Sequence, residues 1–200
     1  MRPLSALAPL AAALAFAASV HAATPGQPAP DFTITDAAGK PVSLAAFRGK
    51  HVVLEWTNPE CPFVRKHYDS ANMQDLQKQY GARDVVWLAI NSTSRDHSEH
   101  KTGAQMAAWM QQHGAAPKAV LIDETSTTGR AYAARTTPHM FVIDPAGTIV
   151  YAGAIDDKRS ANPADAKTAK NYVRAALDAS LAGKPVAVAS TTPYGCSVKY

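Results

Sequence analysis

The sequence predicts an α/β fold around a largely parallel sheet, with a β-hairpin at the N-terminus and an extension at the C-terminus. Three observations carry this. There are three short, β-rich apolar runs (His51 to Trp56, Asp84 to Ile90, Ala119 to Ile122), helical periodicity in the segments between them, and a hairpin pattern from Met140 to Tyr151. Strand, helix, strand, helix, strand in that order implies parallel pairing with right-handed crossovers.

In chain order, Phe32-Thr33-Ile34-Thr35 alternates with period two, and Asp36-Ala37-Ala38-Gly39-Lys40 supplies a turn before Val42-Ser43-Leu44, a short hairpin. The runs ending at Trp56 and Ile90 have few polar interruptions, as strands covered on both faces require. Between them Phe63, Val64, Tyr68, Ala71, Leu76 and Tyr80 recur at near-helical steps before Gly81, which predicts one amphipathic helix with a glycine stop. A further helix is expected over Thr102 to His113, ahead of Gly114. Met140 to Asp144 meets Thr148 to Tyr151 across Pro145-Ala146-Gly147. Tyr172, Val173, Ala176, Leu177 and Leu181 then share a helical face that stops at Gly183 and Pro185.

Ahead of all this, one basic residue, Arg2, precedes an Ala/Leu/Val stretch from Leu4 to Val20, and Ser19-Val20-His21-Ala22 suits cleavage after Ala22. The stretch is too short and alanine-rich for a membrane span. The reading is a signal peptide over 1–22 and a periplasmic or secreted chain with no stable membrane insertion; a retained anchor is the alternative. One domain is expected over 23–185 and a tail over 186–200. With Arg2 set aside, 19 basic and 16 acidic side chains remain, interspersed, which disfavours nucleic acid as a partner.

The thiol inventory is Cys61 and Cys196, in a compartment where disulfides persist. Zinc-type cysteine pairs are absent, and neither a metal nor another cofactor is expected. In Trp56-Thr57-Asn58-Pro59-Glu60-Cys61-Pro62-Phe63-Val64 the cysteine stands where a strand hands over to a helix. Unpaired N–H groups and the positive end of the helix dipole favour thiolate there. Arg65 and Lys66, one turn on, are expected to add to this.

That cysteine, the Thr136-Thr137-Pro138 step ahead of the Met140 strand, and the element order together resemble a peroxiredoxin-like member of the thioredoxin superfamily. The group is the redoxins, which include alkyl hydroperoxide reductase and thiol-specific antioxidant proteins. The resemblance covers about residues 28 to 183 and implies a thioredoxin-like three-layer fold and a thiol oxidoreductase or antioxidant activity. In that superfamily the Thr-Pro step is a cis-proline loop beside the active cysteine that offers backbone to a bound thiol or peptide. This implies Thr137 and Pro138 as partner-binding residues, with Trp56 and Asn58 flanking them.

Thioredoxin would carry a second cysteine at Val64, so disulfide exchange cannot close within this motif. Typical peroxiredoxins carry Pro and Thr or Ser where this chain has Leu54 and Asn58. Cys61 thus matches the first thioredoxin cysteine better than the peroxide-reacting one. The same alignment puts Glu55 where thioredoxins keep a buried proton-relaying acid; an exposed Glu55, or one paired with Lys50 or Arg65, is the alternative.

A lone nucleophile needs a resolving thiol, and Cys196 is the remaining one. Gly195 leaves the backbone free for a close approach. The partners implied are protein thiols or disulfides or small hydroperoxides, with an unidentified thiol electron donor. Two other readings stay open: a purely structural Cys61–Cys196 disulfide, and a Cu(I)-handling pair of thiolates.

Overall fold

In the computed structural model, which describes residues 23–200, the expected N-terminal hairpin is formed by β1 (Thr33–Asp36) and β2 (Pro41–Ser43). Asp36 Oδ1 closes its turn by accepting from the N–H groups of Ala38 and Lys40, both at 2.9 Å. The leader expected over 1–22 lies outside the described residues.

The three apolar runs become β3 (Val52–Trp56), β4 (Val86–Asn91) and β5 (Ala119–Ile122), paired in parallel, with β3 wholly buried. The later hairpin is β7 (His139–Ile143) and β8 (Ile149–Gly153), and the whole sheet runs β2-β1-β5-β4-β3-β7-β8. β7 lies antiparallel to β3, so the sheet is mixed rather than parallel throughout. Two very short strands, β6 (Thr136–Thr137) and β9 (Cys196–Ser197), pair separately. Nothing in the sequence pattern marks either one.

Where one helix was expected after Cys61, there are two, α1 (Pro62–Asp69) and α2 (Asn72–Gly81). The break falls at Ala71, whose φ of 61° is left-handed. Its cause is visible in the spacing. Met73 and Tyr80 stand five and twelve positions past Tyr68, which in an unbroken helix of 3.6 residues per turn would carry them roughly 140° and 120° round from it. The kink returns Met73, Leu76 and Tyr80 to the same buried layer as Tyr68. Helix α3 (Gly103–Gln112) starts with a reciprocal capping box between Thr102 and Gln105. A short α4 (Thr127–Ala131), which the sequence pattern did not indicate, precedes β6, and α5 (Tyr172–Leu181) matches its predicted span.

Alternation along β3 sorts side chains onto two apolar layers. Val53 joins Val64, Tyr68, Trp87, Met106 and Leu177 beneath the helices, with Cys61 in the same cluster. Val52, Leu54 and Trp56 face Phe32, Leu44, Tyr132 and Phe141 on the other side. Among the described residues, no helix is long and apolar enough to cross a membrane.

Candidate functional site

β3 ends at Trp56, and α1 begins six residues later at Pro62. Asn58 shapes that handover. Its Oδ1 accepts from Glu60 N–H at 2.9 Å, its carbonyl accepts from Cys61 N–H at 3.0 Å, and its Nδ2 donates to Glu99 Oε2 at 2.8 Å. Cys61 is the N-cap of α1, with extended φ and ψ of −78° and 119°, and Pro62 fills the first helical turn, where a missing N–H costs nothing.

The sulfur makes no capping hydrogen bond to the helix. Instead Cys61 Sγ donates to the carbonyl of Thr137 at 2.9 Å, and the residue is 1% exposed. The expected help from two neighbouring cations is not found. Arg65 donates to the Pro59 carbonyl at 2.7 Å and pairs with Glu60 at 3.1 Å, while Lys66 turns inward onto Asp156. Each positive charge thus lies against a carboxylate, with Glu60 shared between Arg65 and Lys101.

The Thr137–Pro138 peptide bond is cis, as the resemblance implied. On its N-terminal side, β6 receives the tail: Thr137 is in antiparallel register with Cys196 and Thr136 with Ser197, and Val198 N–H donates to Arg135 O at 3.0 Å. Gly195 has φ +137°, and a Cβ added there would lie 2.0 Å from the Thr137 carbonyl oxygen. The same carbonyl oxygen therefore meets the Cys61 thiol and the tail backbone. A side chain at position 195 would drive the tail off it.

Cys61 and Cys196 are both free thiols. Burial pushes the Cys196 thiol up to about 12, reinforced by its hydrogen bond to Cys61 and by the charges of Cys61 and Glu99, with Lys199 opposing.

Glu55 is fully buried, which overturns the alternative of an exposed or lysine- or arginine-paired carboxyl; Lys50 pairs with Asp84 instead. Its oxygens accept from Tyr68 Oη at 2.8 Å, Trp87 Nε1 at 2.8 Å and Gln77 Nε2 at 3.4 Å. Loss of solvent raises this carboxyl to about 6, and those hydrogen bonds limit the rise. Trp56, next along β3, points to the opposite layer, where its Nε1 donates to Ser92 Oγ at 3.0 Å and its ring packs on Tyr132 and Phe141. It is wholly buried, so it supports the loop from behind rather than meeting a partner. His139 is buried and held near 4 by desolvation, hence neutral, with Nδ1 accepting from Arg135 N–H at 3.3 Å. Sequence reading assigned no role to Asp156 or Tyr194, and the structure brings both to Lys66. Their only sequence signal is the position of Tyr194, two residues before Cys196.

Residues 25–152 match the model of the AhpC/TSA family. The chain belongs to that family. Thioredoxin-like protein YneN of Bacillus subtilis is 29% identical over 135 residues, which is 66% of this chain and 74% of that one. An uncharacterised conserved protein of Geobacillus kaustophilus superposes with a TM-score of 0.78 at 30% identity, covering 89% of this chain and 93% of its own. The thioredoxin domain of a thiol-disulfide oxidoreductase from Bacteroides vulgatus superposes with a TM-score of 0.52 at 22% identity, over 64% of this chain and 87% of that one. That last likeness concerns the fold. An AhpC/TSA member with a thioredoxin-like α/β fold thus has a cysteine at the strand-to-helix handover, a cis-proline loop, and a tail strand laid on that loop.

Proposed function

We propose that this protein is an exported thiol-disulfide oxidoreductase in which Cys61 is the nucleophile and Cys196 the resolving thiol. The observation that supports it most is the β6–β9 register, which holds Cys196 opposite Thr137 while the Thr137 carbonyl holds Cys61. In the forward direction Cys61 sulfur, as thiolate, attacks one sulfur of a partner disulfide, and the other leaves as a thiol after taking up a proton. Cys196, deprotonated, then attacks Cys61 Sγ and releases the second partner thiol, leaving the Cys61–Cys196 disulfide. Two electrons pass to the partner, and both protons come from the protein dithiol.

A small hydroperoxide follows the same course. Cys61 attacks the terminal peroxide oxygen, an alcohol leaves, and the resulting sulfenic acid condenses with Cys196, losing water. Family membership and the near-complete enclosure of Cys61 favour a small oxidant in this arm. A thiol donor restores the dithiol by attacking Cys196, the more exposed sulfur.

Cys196 needs its proton removed before it attacks, and Glu55, near 6, is the buried base assigned to that transfer. Thr137 and Pro138 present backbone to the reacting sulfurs, Asn58 fixes the loop, and Trp56 braces it. The tail is held by backbone hydrogen bonds to Arg135 and Ser94 and by its pairing with β6, contacts that involve neither sulfur, so a covalent bond is not required to hold it. That argues against the purely structural reading of the pair.

The test is to expose reduced protein to oxidised glutathione and, separately, to hydrogen peroxide, then map the thiols. The wild type is expected to lose both thiols as one Cys61–Cys196 disulfide, and Cys196→Ser to stop at a glutathione adduct on Cys61. Modification confined to Cys196, or none with either oxidant, contradicts the proposal.

A further inference from the structure

Beneath the tail lies a polar cluster that the redox chemistry does not use. Lys66 and Asp156 form an ion pair at 3.1 Å with side-chain exposures of 0% and 1%. Lys66 Nζ donates to Asp156 Oδ2 at 3.1 Å and Oδ1 at 3.4 Å, to the Lys158 carbonyl at 2.5 Å and to Tyr194 Oη at 3.1 Å. Asp156 Oδ1 accepts in turn from the Tyr194 hydroxyl and from Lys158 N–H at 2.9 Å. His67 completes the group. Asn171 Nδ2 donates to Asn72 Oδ1 at 3.3 Å, leaving Asn72 Nδ2 to donate to His67 Nδ1 at 3.0 Å. The neutral ring then carries its proton on Nε2, which lies 3.4 Å from Tyr194 Oη. Desolvation, with the Lys66 charge, holds His67 down at about 3, so it stays neutral.

A wholly buried ion pair is a poor way to gain stability, because the desolvation cost consumes most of the Coulomb attraction. Such pairs are best attested where they fix one arrangement among several. Here the arrangement joins three segments. Lys66 and His67 belong to α1, whose N-cap is Cys61. Asp156 follows β8, and Tyr194 stands two residues before Cys196. The Tyr194 ring also packs edge-on against Phe63 at 5.9 Å and lies under Lys66 Nζ at 5.4 Å.

From these contacts we infer that Tyr194, Lys66 and Asp156 form a latch that positions Cys196 over Cys61. Tyr194 is thus a positioning residue for the second, intramolecular step of the proposed reaction. This inference rests on the oxidoreductase reading of the two thiols. The Tyr194 hydroxyl reads the carboxylate and ammonium together, so the tail seats only when its register brings the phenol to that pair. Gly195 and then Cys196 follow in fixed order onto Thr137. With the phenol anchored, the reduced tail loses freedom before the bridge forms, and the effective concentration of Cys196 at Cys61 rises.

Tyr194→Phe isolates the hydroxyl, since the ring can keep its packing on Phe63. Wild-type and variant protein are equilibrated in graded reduced and oxidised glutathione, and the Cys61–Cys196 disulfide is quantified against the glutathione adduct at Cys61. Bridge formation turns one oxidised glutathione into two reduced ones, so its equilibrium constant reports the effective concentration directly. The variant is expected to lower that constant roughly tenfold, raising the potential of the pair by about 30 mV. Protection of the Val198 amide from hydrogen exchange should fall with it, and that readout needs no redox chemistry. A variant that bridges like the wild type and keeps Val198 protected overturns the latch and leaves the oxidoreductase reading intact. Failure of the wild type to bridge at any glutathione ratio overturns the oxidoreductase reading. Should Tyr194→Phe not fold, Lys66→Met with Asp156→Leu, which removes both partners of the phenol without leaving a lone buried charge, is measured in the same way and is expected to show the same loss.

Discussion

The two cysteines are held by opposite means. Cys61 is set by its sequence neighbours: Asn58 shapes the loop, Pro62 opens the helix, and Arg65 reaches back to Pro59. Cys196 is set by residues far away in the chain: Thr137 and Arg135 beneath it, Ser94 bonded to Lys199 after it, and Lys66 with Asp156 around Tyr194 before it. The backbone of the nucleophile is set locally, with its sulfur received by the distant Thr137 carbonyl, whereas the resolving thiol is placed by tertiary structure throughout. Changes near Cys61 should act on the first chemical step, and changes under the tail on the second.

The adjacent cations Arg65 and Lys66 offer the largest contrast. Lys66→Met leaves Asp156 buried without its counter-charge and is expected to cost roughly 3–5 kcal/mol of stability in urea unfolding. Lys66→Met with Asp156→Leu should recover most of that while leaving the tail unanchored. Arg65→Met removes a half-exposed pair with Glu60 and should cost about 1 kcal/mol or less. Equal losses at the two positions would erase the distinction.

A smaller effect tests the base. The Glu55 carboxyl lies near 6 in the fold against an ordinary 4.5, so the folded chain keeps this proton where the unfolded chain has released it. Its stabilisation is full below pH 4.5 and disappears as pH rises through about 6, a swing of about 2 kcal/mol. Glu55→Gln should remove that part of the pH dependence of unfolding. If Glu55 serves the second step, the variant should also lose an inflection near pH 6 in the rate of bridge formation while glutathionylation of Cys61 in Cys196→Ser is unaffected.

Gly195→Ala puts a methyl group into the Thr137 carbonyl, which must displace the tail locally. Global stability is expected to fall by roughly 1 kcal/mol, within the range of strained backbone positions, while bridge formation slows far more than the first step. Asn58→Ala removes a buried side chain that accepts from Glu60 N–H and donates to Glu99, and is expected to cost roughly 1–3 kcal/mol. Its kinetic effect should fall on the first step.

This division also explains what could be read from the sequence. The central strands, both hairpins, α3 and α5 are visible because their apolar spacing answers to the strand or helix period. The kink at Ala71 was hidden because its neighbours still repeat at near-helical intervals, although the five-residue step from Tyr68 to Met73 is its trace. Strands β6 and β9 are two residues each and carry no period at all. Cys61 and the Thr137–Pro138 step were legible for a local reason, since a strand end, a helix start and a proline are written in adjacent residues. The latch was not. Lys66 reads as a surface cation on an amphipathic helix, and only the fold brings Asp156 and Tyr194 to it, 90 and 128 residues further along.

The account depends on Cys61 and Cys196 exchanging electrons with the surroundings as a pair. Its most direct test is the midpoint potential of their disulfide in graded glutathione buffers, with both cysteines mapped at each point. The account predicts a reversible two-electron transition above about −300 mV. A bond that stays oxidised far below that value, or two thiols that titrate independently, would contradict it.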